Sequence, residues 1–131
     1  MKSKNYKGPE RRTYLRLDAD YTVGYVKLSN DLRPKGDIIE DARPKDISGA
    51  GIKILAAEQI SAGSFLETYI RIPTAAKIIT AICRVVRCEP DKKGRFGIAL
   101  AFMWITKKDR GAIDEYVKKI KLTMLRSETR T

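Results

Sequence analysis

From residue 21 to residue 104 the chain is a series of short stretches in which apolar residues alternate with others, and turn-forming residues end each stretch. That period-two pattern is what a half-buried β-strand requires, because successive side chains point to opposite faces. Residues 21–28 alternate in this way, and residues 29–36, with Asn30, Asp31, Pro34 and Gly36, read as a loop. Residues 38–42 read as a short strand, with Pro44 suited to an edge or a bulge. A turn over 48–51 leads to a strand over 52–55, and a second turn over 61–64 leads to a strand over 65–72. In that strand Phe65, Glu67, Tyr69 and Arg71 share one face, and Leu66, Thr68, Ile70 and Ile72 the other. After a turn over 73–76, residues 78–88 form a long strand, 89–94 a hairpin loop and 96–104 the returning strand. The period then changes. Thr106 is placed to cap a helix with Asp109 as its capping-box partner, and Ile113, Tyr116, Val117, Ile120 and Met124 recur at helical spacing. The expected fold is therefore all-β with one C-terminal helix, a six-stranded antiparallel β-barrel or sandwich on which the helix stripe packs.

At 131 residues the chain suits one domain. Residues 1–9 carry Lys2, Lys4 and Lys7 before Gly8-Pro9 and are expected to form a flexible arm. The folded domain is expected over 10–125 and a disordered tail over 126–131. The N-terminus has charge but no apolar core of a signal peptide. The longest uncharged apolar run, 98–105, is far short of the roughly 20 residues that span a bilayer. A cytoplasmic protein without membrane insertion is the expectation.

The chain has no histidine. This removes the usual general base near neutral pH and the commonest metal ligand, and rules out Ser-His and Cys-His nucleophile systems. A metal site is not expected. The two cysteines, Cys83 and Cys88, are five apart, so on a continuous strand they face opposite sides, and they read as small core residues in a reducing compartment. Lys and Arg number 27 against 16 Asp and Glu, a formal net charge of +11, which favours anionic ligands.

Two segments carry candidate chemistry. Arg11, Arg12 and Arg16 place three permanently charged guanidinium forks within six residues, and each fork fits two phosphate oxygens at once. A solvated basic run would look the same. Asp46, Ser48, Gly49 and Gly51 place a carboxylate, a hydroxyl and two glycines at a strand end and turn. The carboxylate can accept from the N–H edge of guanine, and the hydroxyl can bond a phosphate or ribose oxygen. Asp and Ser also favour such turns for purely local backbone bonds.

In combination, Arg12 and Arg16 followed by Asp46, Ser48 and Gly51 resemble the paired RxxxR and (D/N)xSxxG motifs of PilZ domains. Residues 94–102, Gly-Arg-Phe-Gly-Ile-Ala-Leu-Ala-Phe, are similar to the strand that precedes the terminal helix in that family. The resemblance covers residues 10–122 and implies a split barrel that binds cyclic di-GMP, a bacterial second messenger, with no other cofactor. It implies that Arg12 and Arg16 clamp phosphate and stack on guanine, with Arg11 assisting. It assigns Asp46 to a guanine edge, Ser48 to the vicinity of a phosphate, and Gly51 to a position where a side chain would block the ligand. Arg84 and Arg87 are further candidates for anion contacts, though exposed strand arginines that keep an outer face wet are the commoner occurrence. The expected function is a receptor whose arm orders over the ligand and so presents a changed surface to a downstream protein.

Three other readings compete. A small basic barrel suits nucleic acid, but the chain lacks a run of interleaved aromatics for base stacking, so that partner is not expected. A PilZ-fold adaptor acting without ligand is opposed by the complete motif set. An enzyme using Ser48 with Lys45 has neither a histidine nor a phosphate-binding loop of the Walker type to support it.

Overall fold

The structure, a computed structural model, describes residues 20–129. The expected arm over 1–9, the arginines Arg11, Arg12 and Arg16, and the last two residues lie outside the described residues. Seven antiparallel strands form one sheet: β1 (Thr22–Leu28), β2 (Pro34–Ile39), β3 (Arg43–Ser48), β4 (Gly51–Ala56), β5 (Phe65–Arg71), β6 (Ile79–Pro90) and β7 (Phe96–Trp104). A helix, α1 (Lys107–Thr129), follows. The spatial order is β2-β1-β5-β6-β7-β4-β3.

This differs from the expected six-stranded barrel in two respects. The single strand expected over 38–42 is two, because the chain leaves β2 at Ile39 and enters β3 at Arg43. β2 pairs with β1 only and is exposed at every residue but Ile39. An edge strand wet on both faces leaves no alternation in its sequence. The sheet is also not closed: β1 comes close to β3, but no ladder joins them among the described residues. Pro44 has no N–H to offer, and a register shift between Pro44 and Asp46 inserts Lys45 as a bulge that turns this edge away.

The core gathers the inward residues of the sheet, including fully buried Tyr25, Ile54, Leu66, Ile70 and Ile98. The expected helix stripe closes it. Ile113 and Tyr116 are buried, and Val117 and Ile120 pack against the same cluster. Thr106 Oγ1 accepts from the Asp109 N–H at 3.1 Å, the cap expected from sequence. The Tyr116 hydroxyl donates to Asp20, and its ring meets Tyr21 edge to face with centroids 5.8 Å apart. The helix runs to Thr129, four residues into the stretch expected as a tail, and exposes Leu122 and Leu125 beyond the packed stripe. No described helix is long and apolar enough to cross a membrane.

The bulges in β6 change one sequence expectation. Cys83 and Cys88 do not point to opposite faces. A register shift between Val85 and Arg87 re-phases the strand, so Cys88 packs half-buried against the core that buries Cys83. Burial pushes the Cys83 thiol up to about 11, which fits an inert core residue.

Ile113 ties the helix to the sheet. Ile113→Ala should lower the unfolding free energy by about 2–5 kcal/mol, the usual range for such a truncation. Leu122→Ala, on the exposed side, should change it by no more than about 0.5 kcal/mol. Urea denaturation of both variants checks the contrast.

Candidate functional site

The site is built on the hairpin between β3 and β4. Ser48 pairs with Gly51 across a two-residue turn of Gly49 and Ala50, and Asp46 pairs with Lys53. Because β3 alternates, Asp46 and Ser48 share the exposed face while Ile47 points into the core. Asp46 Oδ1 accepts from the Ile47 N–H at 2.9 Å, and Ser48 Oγ accepts from the Ala50 N–H at 3.2 Å. These are the local bonds that such residues make in turns. They leave the second carboxylate oxygen and the hydroxyl proton without a partner among the described residues. An acceptor and a donor thus stand side by side at the protein surface.

Contacts from elsewhere fix the turn. Arg110, in the first turn of α1, donates from Nη1 to the Gly49 carbonyl at 2.8 Å, and the Phe102 N–H donates to the Ala50 carbonyl at 2.9 Å. At Gly51 the β4 backbone runs hard against β7. An added Cβ would overlap the Leu100 carbonyl oxygen and lie 3.1 Å from its carbon and 3.2 Å from Ala101 Cα. The glycine therefore has a packing reason inside the protein, beside the ligand clearance that the motif implies.

Asp46 and Ser48 border two depressions. One is a cleft of about 380 Å³ between β3 and α1, lined mainly by Tyr21, Ile47, Val117, Ile120 and Met124. Tyr21 in this cleft follows Asp20, where the described chain begins. Burial, and then the nearby Asp46 carboxylate, push the Tyr21 hydroxyl well above its ordinary range. The other depression is a groove of about 320 Å³ on the outer face of β3, β4 and β7. Its floor is made of Gly51, Ala99 and Ala101, with Lys53 beside Asp46.

Of the expected site residues, the structure brings Asp46, Ser48 and Gly51 together, and Arg11, Arg12 and Arg16 lie outside the described residues. Lys53 belongs to neither motif segment, and the structure adds it to the site. The alternation of β4 puts it on the Gly51 face, and the two-residue turn that pairs Ser48 with Gly51 carries Ile47 onto Ile52 and Asp46 onto Lys53, ahead of the bulge at Lys45. Ser48 makes its one side-chain bond to the Ala50 N–H, and no activating base touches it among the described residues. No cluster of metal-ligating side chains occurs among the described residues.

Gly51→Ala should force β4 off β7 and destabilise the fold by about 1–3 kcal/mol or more, as overpacking does. Thermal unfolding in the absence of any ligand checks this. An unchanged midpoint would show that Gly51 is free of the packing constraint.

No curated protein and no solved structure matches the chain. Among protein families, the PilZ domain matches residues 10–119, which takes in all seven strands and the first half of the helix. The exposed Asp46 and Ser48, the glycine behind them and the strand-and-helix order all fall within that match, and the chain belongs to the PilZ domain family.

Proposed function

We propose that this protein is a receptor for cyclic di-GMP, a binding module and not a catalyst. The observation that carries the reading is the pairing of the Asp46 carboxylate with the Ser48 hydroxyl on one exposed face, over a floor of glycine and alanine, in a PilZ domain. The carboxylate accepts from the paired N–H groups of a guanine edge. The hydroxyl donates to a phosphate or ribose oxygen. The small floor residues let a flat base or ribose approach the sheet backbone.

The remaining groups come from the N-terminal segment. Arg16 is four residues before Asp20 in the sequence, and four residues of chain reach at most about 14 Å. In this reading Arg12 and Arg16, helped by Arg11, grip the phosphates with guanidinium forks and stack on the bases. Each charge-assisted bond contributes about 1.5–3 kcal/mol, and several together offset the ordering of a short segment at about 1–2 kcal/mol per residue. The bound segment presents a changed surface to a downstream protein, and that change is the signal.

Calorimetry with cyclic di-GMP on the wild type, Asp46→Ala and Arg16→Ala tests the reading. Each variant should bind at least about tenfold more weakly while keeping its circular dichroism, since each loses a charge-assisted bond. Wild-type affinity in either variant, or no heat from the wild type, would overturn it.

A further inference from the structure

The floor of the outer groove has a second side, and the register of β6 sets it. Two rows of residues cross the sheet on its outer face. One runs from Ser48 through Gly51 and Ala101 to Arg84. The other runs from Asp46 through Lys53 and Ala99 to Arg87. Residues paired directly across adjacent strands stand on the same face. Arg84 and Arg87 therefore lie on the face that carries Asp46 and Ser48, beyond the two alanines.

On a regular strand, residues three apart point to opposite faces. The bulge between Val85 and Arg87 removes that opposition, and it does so at a visible expense, because the inserted Val86 is 56% exposed. Keeping a face wet needs no such device. Both arginines are exposed, and Arg84 has the half-buried Phe65 as its neighbour on β5. Arg87 meets Glu89 at 3.6 Å, with both side chains more than half exposed, a weak contact that a phosphate can displace. From Ser48 to Arg84 the backbone spans three strand spacings, about 14 Å in all. The positions between them carry only glycine and alanine in that row, so a long arginine side chain can lean over the floor.

We propose that Arg84 and Arg87 form the second wall of the ligand site and hold a phosphate of the bound dinucleotide from the β6 side. The inference rests on the reading of the protein as a cyclic di-GMP receptor and adds the residues that complete the groove. The Asp46–Ser48 wall takes the guanine edge, and the β6 wall takes phosphate through guanidinium forks.

The test is calorimetry of the full chain with cyclic di-GMP, comparing Arg84→Ala, Arg87→Ala, the double variant, Arg84→Lys, and Asp46→Ala as the reference. Lys35→Ala, on exposed β2 at the far edge of the sheet, serves as the charge control. Each arginine-to-alanine change should weaken binding about tenfold or more, and the double variant further. Arg84→Lys should recover only part of the loss, because an ammonium lacks the fork, and Lys35→Ala should bind as the wild type does. All of these changes are at exposed positions, and unchanged melting temperatures will show that the folds are intact. A double variant that binds within about twofold of wild type while Asp46→Ala has lost binding would end this proposal and leave the receptor reading standing. Wild-type binding by Asp46→Ala, or no binding by the wild type itself, would end both.

Discussion

The site depends on one close approach of two backbones. β4 runs against β7 at Gly51, with the Leu100 carbonyl where any side chain would have to go. That approach seats the β3–β4 turn, and the Phe102 N–H and the Arg110 guanidinium then hold it through the Ala50 and Gly49 carbonyls. Asp46 and Ser48 thus project from a hairpin whose position is set by the sheet on one side and the helix on the other. A rigid support of this kind lets two exposed polar groups keep a fixed spacing without being buried.

The helix contributes as a fastening. Ile113 and Tyr116 pack into the sheet, and Tyr116 holds Asp20 by its hydroxyl. The segment that carries the motif arginines therefore joins the fold at a point clamped to the helix and adjoining the cleft that Asp46 borders.

The sequence was most legible where one face is buried. β1, β5, β6 and β7 alternate or run apolar for seven to twelve residues, and the helix announces itself through Thr106 and the stripe from Ile113 to Ile120. Legibility failed at the edges and at the irregularities. β2 is wet on both faces and has no period to read. The bulges at Lys45 and Val86 re-phase their strands without any signature that a single sequence offers, and the one at Val86 decides that Arg84 and Arg87 share a side. In the site itself, Asp46 and Ser48 could be found from the motif, but the reason for Gly51 could not, because the Leu100 carbonyl belongs to a strand some fifty residues away.

In the proposed receptor a guanine-phosphate ligand lies against the outer face of the β3–β4–β7 surface. Titration of isotope-labelled protein with cyclic di-GMP, followed by amide chemical shifts, addresses it most directly. The largest changes should fall on Asp46 to Lys53, on Ala99 to Ala101 and on the residues just before Asp20. Changes centred on the exposed end of α1 or on β2, with the hairpin unmoved at saturation, would contradict it.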